Sequence, residues 1–268
     1  MMMTILNRRK IAEVLAALAR GPAKAQTGLS AAAIEAGPEA SSPNGAVRTL
    51  ARLFDHTLLR PETNRSGIEQ CCREARQYGV AVACVNPVWV PLAASLLAGS
   101  PVRVGTVAGF PLGASVTSIK RAEAWEALRA GAQEIDMVLN IGALKSGDLE
   151  RVESDIRGVV EVCHEAGATL KVILETAVLS DEEKVAACRI AVRAGADFVK
   201  TSTGFAPVGA TVHDVRLMRE TVGPDVGVKA AGGIRTLADT LTMLEAGANR
   251  LGTSATVAIL EEAARLAV

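Results

Sequence analysis

Short apolar segments alternate with longer amphipathic segments along most of the chain. At four junctions the tripeptide Ala-Gly-Ala follows a stretch with helical periodicity and precedes a short apolar run. Glycine is typical of the residue just beyond the C-terminus of a helix, because it adopts the left-handed conformation without strain. The pattern therefore predicts repeated helix-to-strand junctions in an alternating α/β chain, at Ala130–Ala132, Ala166–Ala168, Ala194–Ala196 and Ala246–Ala248.

Eight apolar runs fit this alternation as strands, and amphipathic segments between them fit as helices. Eight strand and helix alternations in about 220 residues predict a (β/α)8 TIM barrel. The alternative is a doubly wound open sheet, but no Gly-x-Gly-x-x-Gly turn follows the first predicted strand. The predicted strands are Leu50–His56, Val80–Val85, Val102–Val107, Glu134–Leu139, Leu170–Leu174, Phe198–Lys200, Gly227–Lys229 and Arg250–Gly252. The predicted helices include Ser115–Arg129, Leu149–Glu165, Asp181–Arg193, Val212–Thr221, Leu237–Glu245 and Ser254–Leu266.

The first 45 residues differ in character from the rest of the chain. Ile11–Leu18 has the pattern of an amphipathic helix, and Glu13 interrupts its weak likeness to an export signal. Gly21–Gly45 is rich in alanine, glycine, serine and proline, which predicts a flexible linker. We therefore predict an N-terminal helix and linker in residues 1–45 and a catalytic barrel in residues 46–268.

The stretch Val80–Ala98 is apolar and long enough to suggest a membrane span. Asn86, Pro87 and Pro91 interrupt it, however, and prolines are typical of helix starts and loops. We predict a buried strand, a loop and a helix here, and no contact with a membrane.

Composition and charge narrow the function classes. Hydrophobic residues make up 49% of the 268 residues, which suits the large core of a single barrel. The 29 basic and 29 acidic residues give a net charge of zero, and no basic stripe with interleaved aromatic residues is present. A nucleic-acid partner is therefore not expected.

Cysteine and histidine spacing argues against disulfide bonds and metal sites. The five cysteines are an odd number without a Cys-x-x-Cys pair, and the three histidines are far apart in the sequence. This predicts free thiols in a reducing cytoplasm and no metal or other cofactor, although ligands that only the fold brings together escape this argument. The residues are Cys71, Cys72, Cys84, Cys163, Cys188, His56, His164 and His213.

Two lysines end neighbouring apolar runs, Lys200 after Phe198-Val199 and Lys229 after Val226–Val228. If both runs are parallel strands of one barrel, their amino groups share one pocket. Burial beside a second cation lowers the pKa of a lysine, so that its neutral amine can attack a carbonyl. We therefore predict Schiff-base chemistry at this pair of lysines, and Lys171 is the second candidate if Lys200 fails. The alternative for each lysine is a solvated residue at a strand end.

Asp136 lies within the predicted strand Glu134–Leu139. Alternation places Glu134, Asp136 and Val138 on one side of that strand, so the acid points into the barrel. A buried carboxylate needs a partner, and the lysines are the obvious candidates. Asp136 is our candidate acid of the site, and a purely structural ion pair is the alternative.

Other polar residues fall at the carboxyl ends of predicted strands, where active sites of this barrel lie. We predict that Asp55, Thr57, Cys84 and Lys171 bind substrate, and Asn86, Asn140 and Glu175 lie at the same ends.

Glycine-rich corners follow predicted strands six to eight. Backbone N–H groups in such loops and at helix N-termini bind phosphate, and phosphate sites after the last strands recur in this fold. Ordinary turns are the alternative explanation. The candidate anion-binding residues are Thr203, Gly204, Gly232, Gly233, Gly252, Thr253 and Ser254, of which Ser254 is also expected to cap the final helix.

From about Phe54 onward the chain resembles the deoxyribose-phosphate aldolases, a family of class I aldolases. Seven blocks carry the resemblance in order: Asp55–Leu58, Val85–Pro87, Gly109–Gly113, Glu134–Val138, Lys171–Thr176, Phe198–Gly204 and Val228–Arg235. The resemblance implies that Lys200 forms the Schiff base, that Lys229 is the cation that tunes it, and that Asp136 is the acid of the proton relay. It also implies phosphate-binding roles for Gly204, Gly232, Gly233 and Ser254.

The reaction implied by the resemblance is reversible cleavage of 2-deoxy-D-ribose 5-phosphate to D-glyceraldehyde 3-phosphate and acetaldehyde, without a metal or organic cofactor. The expected partners are these phosphosugar and aldehyde substrates, and a second copy of the chain in a homodimer or higher homo-oligomer. Some relatives carry a C-terminal tail with a tyrosine, whereas the only tyrosine here is Tyr78. We expect any role of such a tail to be absent or filled by water.

Two other functions compete with this one. Another lysine-dependent aldolase or a phosphosugar isomerase would keep the phosphate loops on the same barrel. A non-catalytic phosphosugar-binding protein would require protonated and exposed lysines, which a pair of strand-end lysines beside an inward acid does not favour.

Overall fold

The computed structural model of the protein describes residues 43–267. The predicted N-terminal helix and residues 21–42 of the predicted linker lie outside the described residues. Eight strands carry the sheet: β1 Phe54–Leu58, β2 Val82–Val85, β3 Arg103–Ala108, β4 Glu134–Val138, β5 Thr169–Ile173, β6 Phe198–Lys200, β7 Gly227–Ala231 and β8 Arg250–Thr253. The described helices are α1 Pro43–Ala51, α2 Arg65–Tyr78, α3 Val90–Leu97, α4 Thr117–Arg129, α5 Ile141–Lys145, α6 Leu149–Glu165, α7 Asp181–Ala194, α8 Val212–Val222, α9 Leu237–Glu245 and α10 Thr256–Ala267. Short 3-10 turns lie at Pro87–Trp89 and Thr176–Val178.

The strands form a closed parallel barrel in which each strand pairs with the next and β8 pairs with β1. Helices follow the strands and cover the outside of the barrel with their apolar faces. The predicted (β/α)8 barrel is confirmed, and the open sheet is wrong. Helix α6 and helix α9 have the predicted bounds, and the other predicted helices differ by one or two residues at an end.

The Ala-Gly-Ala junctions behave as predicted. Their glycines follow helices and have left-handed φ angles of 109° at Gly131, 67° at Gly167, 93° at Gly195 and 111° at Gly247. Gly195 donates its N–H to Ala191 and so ends α7. The left-handed residue turns the chain from each helix toward the next strand.

The start of the barrel differs from the prediction. Leu50 and Ala51 lie in α1, not in the first strand, and α1 begins at Pro43 inside the predicted linker. Both apolar residues are buried, because α1 packs against α10. Burial of one face of a helix and burial of a strand give the same short apolar run in the sequence, so the run alone did not separate them.

The apolar stretch Val80–Ala98 divides as predicted into strand β2, the 3-10 turn and helix α3. Within residues 43–267, no helix combines the length and the apolar character that crossing a bilayer requires.

Inward-facing side chains fill the barrel in layers of four, each taken from alternate strands. Following the strand register around the barrel gives these layers in order toward the carboxyl ends of the strands. The floor layer is Val82, Glu134, Phe198 and Arg250; the middle layer is Asp55, Gly105, Lys171 and Lys229. The upper layer is Cys84, Asp136, Lys200 and Gly252; the rim layer is Thr57, Val107, Ile173 and Ala231. Seven of the twelve residues in the floor, middle and upper layers are thus charged, and the rim layer has none.

Gly227 is required for packing in the floor of the barrel. A Cβ atom at this position would lie 2.1 Å from ring atoms of Phe198. We expect Gly227→Ala to lower the free energy of unfolding by about 1–3 kcal/mol, the usual cost of an overpacked core. Gly142→Ala is the control, since Gly142 is exposed in α5 and its Cβ would meet only an ordinary contact at 3.7 Å. Urea unfolding of the two variants checks this, and equal stabilities would contradict it.

Candidate active site

Asp136 is the centre of the charged interior. Its Oδ2 atom accepts from Lys200 Nζ at 2.8 Å and from Lys229 Nζ at 2.7 Å. Its Oδ1 atom accepts from Lys171 Nζ at 2.8 Å. Burial would raise the pKa of this carboxyl, but the lysines Lys171, Lys200 and Lys229 hold it well below its usual value. Asp136 is therefore an ionised acid shared by three amines, as its predicted inward position required.

Asp55 is the second carboxylate of the interior and lies beneath Asp136. Oδ2 of Asp55 accepts a short hydrogen bond from Lys229, and Oδ1 accepts from Arg250 at 2.8 Å. Lys171 Nζ lies 3.6 Å from Oδ2. Burial raises the pKa of Asp55, but Lys229, Arg250 and Lys171 lower it below its usual value. Asp55 is thus fully engaged by the protein's own cations.

Lys200 and Lys229 are both buried, but their pKa values are shifted in opposite directions. Burial lowers the pKa of Lys200, Asp136 opposes this, and Lys229 lowers it further, so the net shift is downward. Burial also acts to lower the pKa of Lys229, but Asp136 and Asp55 outweigh it and the net shift is upward. The arrangement favours a neutral amine at Lys200 beside a permanent ammonium at Lys229.

Lys171 contacts more of the buried carboxylates than Lys200 or Lys229 does. It lies 2.5 Å from Glu134, 2.8 Å from Asp136 and 3.6 Å from Asp55. Burial lowers its pKa, yet Asp136, Glu134 and Asp55 raise it above the usual value. Lys171 is therefore a poorer nucleophile than Lys200, and this supports the order of the two candidates.

Glu134 and Arg250 belong to the same network, and sequence reasoning gave neither a role in the site. Arg250 Nη1 lies 3.3 Å from Glu134 Oε2, and its guanidinium lies over the ring of Phe198, 5.3 Å from the ring centroid. The sequence signal that could have identified Arg250 is the alternation of inward and outward residues along a strand. This alternation places Arg250 and Gly252 on the inward side of the same strand. The partners of Arg250 could be assigned only after β8 was seen to close against β1.

Cys84 and Thr57 line the barrel but have different surroundings. Burial raises the pKa of the Cys84 thiol to about 11, with Asp136 adding to the effect. The thiol therefore stays neutral beside the amines. Thr57 is half-buried in the rim layer and donates its hydroxyl to its neighbour's carbonyl, Asp55 O, at 2.8 Å. Substrate contact by either residue stays a prediction.

The predicted glycine-rich corners after β6 and β7 are turns with positive φ angles. Gly204, Gly232 and Gly233 have φ angles of 89°, 83° and 82°, values that only glycine adopts easily. Glu175 accepts the hydroxyl and the N–H of Thr203 and so fixes the start of the β6 loop. These loops lie at the carboxyl ends of their strands, on the side of the barrel where the rim layer opens.

The last group of predicted phosphate residues lies at the carboxyl end of β8, and phosphate binding by these residues stays a prediction. Gly252 lies within β8, and a Cβ there would come 3.0 Å from Lys229 Cε, so this glycine makes room for a lysine. Thr253 donates its hydroxyl to Ile234 O and accepts from Ala255 N. Ser254 is exposed and lies two residues before α10 begins at Thr256, so the expectation that it caps this helix is wrong.

The fold also assembles a group that sequence spacing did not indicate. Asp181, His213 and Asp214 come together on α7 and α8, with side-chain ligand atoms within 4.8 Å of one another. Lys184 Nζ lies 3.0 Å from Asp181 and 2.6 Å from Asp214, so an ammonium already bridges the two acids. The predicted absence of a disulfide framework agrees with the free and buried state of Cys71, Cys72, Cys84, Cys163 and Cys188.

Comparison with known proteins extends this description. The sequence profile of the DeoC/LacD family aldolases matches residues 49–261. A deoxyribose-phosphate aldolase of Streptococcus pneumoniae is 59% identical over 212 residues, which are 79% of this chain and 96% of the relative. One of Listeria monocytogenes is 57% identical over 79% of this chain and 95% of the relative. A solved tetrameric deoxyribose phosphate aldolase of Aeropyrum pernix superimposes with a TM-score of 0.76 at 36% identity, covering 81% and 92% of the two chains.

The buried carboxylates make stability depend on pH in a defined direction. Because the pKa of Asp136 in the folded state lies below its ordinary value of 3.8, its stabilisation is complete above pH 3.8 and is lost as the pH falls toward the folded-state pKa. We expect Asp136→Asn to be less stable at pH 7 by about 3–5 kcal/mol, the cost of breaking a buried pair. Its stability should also fall less steeply below pH 3.8. Thermal melts across pH measure both effects.

The control for this measurement is Asp225→Asn, which changes an exposed carboxylate in the loop before β7. It should retain the wild-type pH dependence. An Asp136→Asn profile that runs parallel to that of the wild type would contradict the ionised state assigned to Asp136.

Proposed function

The chain belongs to the DeoC/LacD family of aldolases, and from this premise we propose that it is a class I aldolase that reversibly cleaves 2-deoxy-D-ribose 5-phosphate to D-glyceraldehyde 3-phosphate and acetaldehyde. The observation that carries the proposal is the Asp136 carboxylate shared by Lys200 and Lys229. One acid between two amines lets a single proton be held at Lys229 while Lys200 stays neutral. This is the charge state that amine attack on a carbonyl requires.

The reaction begins with attack of neutral Lys200 on the aldehyde carbon of the open-chain sugar. The carbinolamine loses water and becomes an iminium, and the bond between C2 and C3 of the sugar then breaks. Its electron pair moves into the iminium and gives an enamine, while the C3 hydroxyl loses its proton and becomes the aldehyde of the leaving triose phosphate. Protonation of the enamine at C2 and hydrolysis release acetaldehyde and restore Lys200.

Asp136 and Lys229 serve the proton movements of this sequence. Asp136 accepts hydrogen bonds from both amines, so it can pass a proton between a water at the substrate hydroxyl and the pair of lysines. Lys229 keeps its charge, because Asp55 and Asp136 both bind it. That charge disfavours a second ammonium at Lys200.

The glycine loops after β6 and β7 are suited to the phosphate. The N–H groups of Gly204, Gly232 and Gly233 lie in left-handed turns at the mouth of the barrel, and such turns form concave anion sites. The exposed hydroxyl of Ser254 follows the next strand. Phosphate held here anchors the substrate far from the reacting carbons and keeps the aldehyde in register with Lys200.

A phosphosugar isomerase on this barrel fits less well. Isomerisation uses a carboxylate or other base that removes a proton next to a carbonyl. Asp55 and Glu134 are each bound by at least two cations, so neither is available as a free base. The paired lysines also have no part in such a reaction.

A cytoplasmic location and a homo-oligomeric state complete the proposal. The Aeropyrum pernix enzyme is described as a tetramer, and α4 of this chain leaves Ile119 and Trp125 about half exposed. Apolar side chains of this size on a surface favour contact between subunits. The molar mass in solution, from light scattering, tests the oligomeric state.

Reductive trapping tests the nucleophile directly. Acetaldehyde with borohydride should add an ethyl group to Lys200 of the wild-type protein, and Lys200→Met should neither be labelled at that site nor cleave the substrate. Lys145→Met is the control, since Lys145 is exposed on α5 and should leave both properties unchanged. Peptide mass mapping identifies the labelled residue. An adduct on Lys171 would transfer the role to that residue, and no adduct would contradict the Schiff-base mechanism.

The phosphate loops are tested by comparing phosphorylated with unphosphorylated substrate. A Cβ at Gly232 would lie 2.9 Å from Gly209 Cα, and the φ of 83° adds strain, so Gly232→Ala should distort the loop. We expect KM for deoxyribose 5-phosphate to rise about tenfold or more, the effect of losing one charge-assisted contact of about 1.5–3 kcal/mol. Cleavage of unphosphorylated deoxyribose should change little. Gly79→Ala, which has a similar φ of 66° at the end of α2, is the control for backbone strain.

A further inference from the structure

Arg250 is a buried cation on β8 that the reaction described above does not use. Its side chain is 1% exposed and lies in the floor layer, below both candidate lysines. Glu134, Asp55 and the ring of Phe198 surround its guanidinium from β4, β1 and β6. An arginine is almost never buried so completely unless it is paired, and Arg250 is paired with two carboxylates.

The charges of the interior do not balance when every group is ionised. The cations are Lys171, Lys200, Lys229 and Arg250, and the carboxylates are Asp55, Glu134 and Asp136. Among the described residues, one positive charge is therefore in surplus inside the barrel. Arg103, the first residue of β3, also lies 3.4 Å from Glu134. Its side chain is a quarter exposed to solvent, so it is not one of the buried charges.

The surplus is relieved most easily at Lys200. Among the described residues, Lys171 contacts three of the interior carboxylates, Lys229 contacts two and Arg250 at least two, whereas Lys200 contacts Asp136 alone. A guanidinium does not lose its proton at accessible pH. The amine with the fewest carboxylate partners is therefore the one that loses its proton.

We propose, resting on the function proposed above, that Arg250 is a positioning residue that makes Lys200 the neutral amine. It does so in two ways. Its charge creates the surplus cation, and its hydrogen bond to Asp55 Oδ1 leaves Oδ2 directed at Lys229. The ammonium of Lys229 is thereby held against Asp136 and next to Lys200.

Removing the positive charge of Arg250 should change the pH at which Lys200 loses its proton. In Arg250→Met the interior keeps three lysines and three carboxylates, so all three lysines can remain protonated. Lys200 should then lose its proton at a higher pH, because the interior no longer carries a surplus positive charge that opposes protonation. The groups that face Lys200 from the packed strands are Asp136, Lys229 and Cys84, and none of them changes in this variant.

The test is the pH dependence of the rate at which Lys200 is trapped with acetaldehyde and cyanoborohydride, followed by intact mass. For Arg250→Met we expect a rate about tenfold lower at pH 7 and recovery at higher pH, since one pKa unit of Lys200 changes its neutral fraction tenfold. Arg250→Lys retains a positive charge and should remain close to the wild-type profile. Arg103→Met, which removes the solvated arginine of the same glutamate, should leave the profile unchanged.

A charge-balance variant separates this role from a structural one. Glu134→Gln in the Arg250→Met background removes one carboxylate, restores the surplus cation and should move the profile back toward the wild type. Glu134→Gln alone should move it to lower pH, and this single variant tests the proposal even if Arg250→Met fails to fold. A merely structural arginine would lower the rate at every pH without moving the profile, and the second substitution would not rescue it.

Two outcomes overturn the inference. One is an Arg250→Met profile at the wild-type position, and the other is an equal shift in Arg103→Met, which would indicate a general effect of surface charge. Both leave the proposed function intact if the wild-type protein is labelled on Lys200. A wild-type protein without that label overturns the proposed function itself.

Discussion

The interior of this barrel depends on three carboxylates that share four cations. Burying any one of these charges alone would cost several kcal/mol, so none of them is tolerated without the others. Asp136 joins the network, because its two oxygens bind Lys171 on one side and Lys200 with Lys229 on the other. The arrangement stabilises the barrel, and it also leaves one lysine with fewer carboxylate contacts than its neighbours. The same electrostatic constraint therefore governs both packing and reactivity.

The barrel geometry explains why these groups meet. Side chains from alternate strands share a layer, so Asp55, Lys171 and Lys229 lie at one height although they are far apart in sequence. Asp136 and Lys200 lie one layer higher. Long lysine side chains need space at this point, and Gly252 provides it, since a Cβ there would meet Lys229. A closed sheet with this register thus converts a pattern of single inward residues into a compact charged cluster.

The fold could be predicted from the sequence because each β/α unit repeats the same local signals. The apolar strands, the amphipathic helices and the glycines at helix ends agree with one another, and together they indicate eight units. The predicted boundaries of strands and helices were less accurate where a buried strand and a half-buried helix give the same short apolar run. Leu50 and Ala51, for example, were predicted in a strand but lie in a helix. The lysine pair and Asp136 could be identified because they are ionisable residues at inward positions of predicted strands. Arg250 was missed as a site residue, since its role depends on the pairing of β8 with β1, which no local pattern contains.

The network also limits which neighbours the amines can tolerate. Cys84 lies in the upper layer with Asp136 and Lys200, and its thiol stays neutral because burial raises its pKa to about 11. A thiolate or a carboxylate at this position would add a fourth negative charge and remove the surplus cation, so that Lys200 would keep its proton. A neutral side chain satisfies this requirement, and the proposed reactivity of Lys200 therefore depends on the whole charged interior and not on one amine.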